Sequence, residues 1–228
     1  MKRISNFMGR LRTMAGIHKW LLLSCCFSCG LLVCRIVVTG TWNYLFLVWN
    51  LWLALLPYWL TENILHRYSV LKSRWKLSLV LCAWLLFIPN SFYIITDIFH
   101  FARFQNAPRW FDLLLLFSFA CNGIMAGLVS MGRAERLLEL MKGKRVSVLM
   151  VFSTMWLIAL GIYIGRFMRY NSWDIIRQPV SLFADIGDMI LHPVEHGYAW
   201  GMTICYGAFM GLLYQSIKNA GKLFRRKN

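Results

Sequence analysis

A chain of 228 residues, 59% hydrophobic and only 15% charged, lacks the polar surface to enclose a soluble core, so a soluble globular domain is excluded. The formal charge of +16 lies in short runs between apolar stretches, a pattern of anchoring against anionic lipid rather than of a nucleic-acid interface. Seven cysteines fall inside apolar stretches and none in a loop, so neither a disulfide framework nor a zinc motif is expected; Cys25, Cys26 and Cys29 read as helix packing.

Apolar runs of about 20 residues match the hydrocarbon thickness of a bilayer, and they predict an all-α polytopic transmembrane bundle of six spans. Residues 1–19 carry Lys2, Arg3, Arg10, Arg12 and Lys19 without an acid, the pattern of a basic interfacial segment on the cytoplasmic side. The membrane domain covers 20–217, with spans at about 20–38, 42–60, 75–98, 110–131, 146–167 and 198–217, and a basic cytoplasmic tail follows at 218–228. The first span is too long for a signal-peptide core, lacks a small-residue cleavage site, and is read as retained. The second is crowded with Trp42, Tyr44, Trp49, Trp52, Tyr58 and Trp59, which suits the aromatic belts of a membrane interface. No span-length repeat is visible.

Assigning the N-terminal segment, the 61–76 and 132–146 loops and the tail to one side gives that side 19 Lys and Arg against 6 on the other. Both termini are therefore expected in the cytoplasm. The six outer cations are all arginine: Arg35, Arg103, Arg109, Arg166, Arg169 and Arg177. A planar guanidinium suits bidentate recognition of phosphate or carboxylate, where lysine is only a point charge.

Two outer stretches hold the residues that are expensive in a membrane. In LLFIPNSFYIITDIFHF, Pro89 is expected to kink the third span, and Asn90, Tyr93, Asp97 and His100 follow at helical spacing on one face. Such a stripe should face protein or a watery cavity. The plainer alternative leaves Asp97 and His100 as a helix end among headgroups. The fourth span enters through Pro108, Arg109 and Trp110, with Asp112 in the first turn, where a carboxylate complements the helix dipole. Asn122, beside Gly123 and Gly127, reads either as part of a polar path or as an interhelical hydrogen bond.

The second stretch is YIGRFMRYNSWDIIRQP, residues 163–179. Arg166 and Arg169 precede Asn171, which with Asp174 reads as a helix cap and its reciprocal acid. Arginines before free N–H groups make an anion-binding arrangement; the alternative is arginines reaching lipid phosphates. Residues 181–191 form an amphipathic, acidic segment, with Leu182, Phe183, Ile186, Met189 and Ile190 opposite Asp185 and Asp188, expected across the outer mouth. His192, Glu195 and His196 match H-x-x-E-H, but Pro193 should begin a helix with His192 as its cap, off the face a zinc site needs.

The segments FIPNSFYIITDIFHF, PRWFDLLLLFSFACNGIMAG and YIGRFMRYNSWDIIRQP resemble a bacterial membrane family known as domain of unknown function 1361, over roughly residues 45–215. The resemblance implies a small multi-pass protein of the bacterial cytoplasmic membrane and supplies no activity, cofactor or catalytic residue. Three functions remain open. The first is an outward-facing site for an anionic, lipid-linked phosphate, with Arg109, Arg166, Arg169, Asn171, Asp174, Asn90 and Tyr93 binding it. There Asp97, His100 and Asp112 would supply acid–base capacity or ligate a metal. The second is a proton- or solute-coupled transporter, which needs polar residues in the cytoplasmic half, where only Asn50, Ser153 and Thr154 are apparent. The third is a partner subunit without chemistry. Membrane lipids are the expected partners in each case; nucleic acid is not, and the cofactor and oligomeric state are left open.

Overall fold

The structure, a computed structural model, describes residues 15–66, 73–101, 104 and 106–225. The basic segment up to residue 14, Arg67, Lys72, Arg103 and the last three residues lie outside the described residues. Among the described residues there is no strand. Eight α-helices follow one another: α1 Ala15–Thr39, α2 Phe46–His66, α3 Arg74–Tyr93, α4 Arg109–Lys142, α5 Lys144–Arg166, α6 Asp174–Arg177, α7 Pro179–Leu191 and α8 Gly197–Arg225. A 3-10 segment, Ile94–His100, extends α3.

Among the described residues, four helical stretches are long and apolar enough to cross a membrane: Gly16–Thr39, Trp75–His100, Arg109–Lys142 and Lys144–Arg166. Helices α2 and α8 are 21 and 29 residues long, but tryptophans, Pro57 and Asn50 dilute the first and glycines and a polar C-terminal end the second. The apolar side chains are arranged inside-out relative to a soluble protein: Leu23, Val37, Trp52, Phe117, Leu149, Phe152 and Leu212 are all exposed on the outer faces of the bundle.

Helix α4 is the axis, packing against α1, α2, α3, the 3-10 segment and α5, while α8 leans on α5. Small residues bring the helices close. A Cβ at Gly123 would meet Ser91 O at 2.9 Å, and one at Gly127 would meet Ser91 Cβ at 2.8 Å. The Gly161 face of α5 lies as tightly on Pro89. One apolar cluster joins α3, α4, α5 and α8 through Trp84, Ile88, Phe92, Met131, Met155 and Met210. A second joins α1, α2, the 3-10 segment and α4 through Leu32, Leu47, Ile94, Leu116 and Phe119.

The helix of Asp112 is much longer than the expected span. Its 34 residues reach about 50 Å at ~1.5 Å per residue, so Arg133 and Glu135, assigned to a loop from sequence, are buried helical residues. Arg133 pairs with Glu62 of α2 and lies 4.4 Å over the Tyr58 ring, and Glu135 pairs with Lys218 of α8 and accepts from Tyr214. At the opposite end Arg35 of α1 grips Asp112 with two bonds, Nε–Oδ1 at 2.7 Å and Nη2–Oδ2 at 3.2 Å. Both residues are only 2% exposed. Asn122 Nδ2 donates to Ser24 O and Ser28 Oγ of α1, the interhelical bond rather than the polar path.

Candidate functional site

Pro89 lies inside α3 without ending it. A proline has no N–H, so Leu85 O loses its helical donor, and polar side chains bond two other carbonyls of the same turn. Asn90 Nδ2 donates to Phe87 O at 3.1 Å, and Ser172 Oγ to Leu86 O at 3.3 Å. Five residues beyond the proline, the helix tightens into the 3-10 segment. Each 3-10 residue turns the chain further than an α-helical one, so the predicted single stripe divides. Asn90 and Tyr93 face a cavity. Asp97 turns inward, where it is buried and accepts from Asn50 Nδ2 at 2.8 Å. His100 meets Arg166, whose Nη1 and Nη2 lie 3.3 and 3.4 Å from its Nε2. Since a guanidinium can only donate, that nitrogen accepts, and the ring proton belongs on Nδ1.

The cavity, about 290 Å3, lies between α2, α3 and α5 under the α6–α7 segment. Its apolar walls include Leu53, Leu86, Ile164, Leu182 and Ile186, and its polar lining is Asn50, Asn90, Tyr93, Tyr170, Asn171 and Ser172, with Trp49 at its side. Asn90 Nδ2 also donates to Ser172 Oγ at 3.0 Å, which ties α3 to the segment after α5.

That segment is bent by Arg169, which has φ 63°, a left-handed conformation that a non-glycine residue rarely adopts. The turn lets Tyr170 N–H reach back to Ile164 O at 3.3 Å, and Tyr170, Asn171 and Ser172 come round to wall the cavity. Asp174 Oδ2 accepts from the backbone N–H of Asn171 at 2.7 Å and from its side chain at 3.4 Å. The reciprocal acid of the expected cap is thus in place, although Trp173 is the residue flanking the four-residue α6. Tyr170 OH donates to Asp185 of α7 at 2.8 Å.

Helix α7 roofs the cavity. Leu182 and Met189 are buried beneath it, while Val180, Phe183 and Leu191 on the adjoining part of the apolar arc are 82, 59 and 75% exposed. Asp188 accepts from His192 Nδ1 at 2.9 Å and His196 Nε2 at 2.8 Å. These bonds, His196 first, hold the Asp188 carboxyl below the usual carboxylate range. Contrary to the expectation of a helix beginning at Pro193, His192 closes α7, residues 193–196 form a turn, and α8 starts at Gly197. Among the described residues no group of three or more His, Cys, Asp or Glu can hold a metal ion.

The arginines sit differently from the sequence-based picture. Arg166 is half-buried between His100 and Phe99, whose ring centroid is 5.5 Å from the guanidinium. It is close enough to Asp97 for their charges to interact but forms no direct ion pair with it. Arg109 and Arg169 are exposed. None of the three lines the cavity. Asp112, grouped by sequence with Asp97 and His100 as an acid–base or metal-ligating residue, is instead taken by Arg35, one of the six outer cations. Asn50 belongs to this end of the bundle and not the opposite one, because α2 starts here only four residues earlier. The residues that sequence reasoning missed as site-builders are Trp49, Tyr170 and Ser172. Ser172 sits in the quoted NSWD segment, and its partner Asn90 lies 82 residues away, so spacing carried no signal of the pair.

A family model described as "Protein of unknown function (DUF1361)" matches residues 49–213. The cavity-lining residues, from Trp49 to Ile186, all fall within that match. No curated protein and no solved structure matches the chain.

Proposed function

This chain belongs to the DUF1361 family of unknown function, and from that premise we propose that it is a bacterial cytoplasmic-membrane protein that binds an amphipathic, anionic, lipid-linked molecule through an outward-facing cavity. Six spans complete the topology once α2 and α8 are counted, both being long enough to cross. The charge split puts both termini in the cytoplasm and the cavity on the outer side.

The cavity itself carries the reading. At about 290 Å3 it sits at the lower edge of ligand pockets, roughly 300–1,000 Å3, and has room for a head group but not for acyl chains. The chains would lie in lipid along the exposed apolar arc of α7, where Val180, Phe183 and Leu191 are more than half exposed. Arg166 and Arg169 sit next in sequence to the lining residues Gly165 and Tyr170, so a phosphate at the rim is the anion they would hold.

A binding role fits better than acid–base catalysis, because Asp112 is committed to Arg35 and Asp97 stands behind Asn50, out of the cavity lining. Transport is the second reading, favoured by the buried Glu62–Arg133 and Glu135–Lys218 pairs at the other end. Against it, none of those four residues lines the cavity.

The test is titration of the purified protein, in a detergent without sugar or phosphate, with short-chain phosphatidylmethanol. Expected is saturable binding that is lost in Leu53→Trp, which fills the cavity, and weakened in Arg166→Lys. Binding unchanged in Leu53→Trp contradicts the site.

A further inference from the structure

The hydrogen-bonding sense of the cavity is specific. Both amide hydrogens of Asn90 are used, one on Phe87 O and one on Ser172 Oγ. The Ser172 hydroxyl donates to Leu86 O, and the Tyr170 hydroxyl to Asp185. The Asn171 amide nitrogen donates to Asp174, and that of Asn50 to buried Asp97. A carboxylate can only accept, so Asp97 holds the Asn50 amide nitrogen and leaves its carbonyl oxygen without a bond to another described residue. The lining therefore offers acceptors, Oδ1 of Asn50, Oδ1 of Asn90 and a lone pair of Ser172, beside a smaller set of donors, the second amide hydrogens of Asn50 and Asn171. Only Tyr93 adds a hydroxyl with no bond to another described residue.

An ionised phosphate has oxygens that accept and no proton to give, so the acceptors of the lining would face it lone pair to lone pair, and no Arg or Lys among the lining residues meets its charge. Hydroxyl groups donate and accept. Aromatic faces and edges, here Trp49, Tyr93 and Tyr170, suit the C–H surfaces of a ring that carries them. No carboxylate lines the cavity, which disfavours an ammonium head group.

We infer that the part of the ligand entering the cavity is an uncharged polyol, a sugar or cyclitol joined to the lipid through the phosphate. This deepens the binding reading above and rests on it. Asn50 and Asn90 are the residues that set specificity, and Asp97 is a positioning residue that acts through the orientation of Asn50.

The experiment compares two lipids with the same acyl chains and the same single charge: phosphatidylmethanol, which lacks a polyol, and phosphatidylinositol, which carries a cyclitol. Both are titrated into wild type, Asn90→Leu and Leu53→Trp, each checked for unchanged thermal unfolding. Expected for wild type is about tenfold tighter binding of phosphatidylinositol, about 1.4 kcal/mol. Asn90→Leu should shrink that preference to within about twofold, and Leu53→Trp should abolish binding of both lipids. Equal affinities in wild type, with both lost in Leu53→Trp, overturn the polyol inference and leave the cavity reading standing. Failure of both lipids to bind wild type overturns both. If Asn90→Leu does not fold, the wild-type comparison decides alone, since it needs no variant.

Discussion

Replacing Asp112 by leucine tests whether this carboxylate serves the fold or the site. The substitution removes two charge-assisted bonds, at 2.7 and 3.2 Å, from a guanidinium that is 2% exposed. What remains around Arg35 is one bond to Thr41 Oγ1 at 3.1 Å and the Tyr44 ring at 4.4 Å. Losing one partner of a buried ion pair costs about 3–5 kcal/mol, because the other charge stays buried without compensation. Removing both charges with Arg35→Met/Asp112→Leu leaves nothing uncompensated, so the double variant should recover most of the loss. The assay is reversible unfolding of the purified protein in SDS mixed micelles, with membrane abundance followed in parallel and the coupling read from the double-mutant cycle. A loss below about 1 kcal/mol for Asp112→Leu, or a double variant as unstable as the single one, refutes the structural role argued from the buried pair.

Close helix crossings give a second expectation: Gly123→Ala and Gly127→Ala should each destabilise by about 1–3 kcal/mol, whereas Gly30→Ala and Gly201→Ala, where an added Cβ meets nothing within 4 Å, should not, all measured in the same unfolding assay. Arg169→Gly relieves a left-handed backbone and should stabilise by about 1 kcal/mol while weakening phosphatidylmethanol binding; unchanged binding removes Arg169 from the rim, and Arg177→Lys is the silent control. Because Asp188 is held below the usual carboxylate range by His196 and His192, its link between α7 and α8 should persist above that range and be lost as the pH falls through its folded pKa. Hydrogen exchange of residues 188–197 should therefore rise, relative to the bundle core, only at strongly acidic pH, and Asp188→Asn should show the raised exchange already at neutral pH. In a cysteine-free background, Asn106→Cys and Ser181→Cys should react with an impermeant thiol reagent in intact cells; labelling of Lys142→Cys instead reverses the proposed topology.

Four of the apolar spans were legible because each carries a run long enough for a bilayer, and the amphipathic, acidic segment expected at 181–191 lies within the helix Pro179–Leu191. The polar ends were harder. Asn90, Tyr93, Asp97 and His100 share a face only if α-helical pitch continues, and the 3-10 segment from Ile94 redirects the last two. Counting arginines by side treated Arg35 and Arg133 as surface charges, yet each is buried against an acid from a distant helix, Asp112 or Glu62. No sequence pattern encodes such pairing, because it depends on which helices cross. Donor commitment in the cavity was equally invisible, since it rests on contacts such as Asn50 with Asp97 and Asn90 with Ser172.

The most direct test is an electron cryo-microscopy map of the protein carried into nanodiscs with its native lipids. Expected is elongated density whose compact polar end lies within hydrogen-bond distance of Asn50 Oδ1 and Asn90 Oδ1 and whose tail leaves between α7 and the lipid. Density for a phosphate should sit toward Arg166 or Arg169. A cavity without such density, or a water-filled passage continuing from the cavity toward Arg133, contradicts an outward-facing binding site and favours transport.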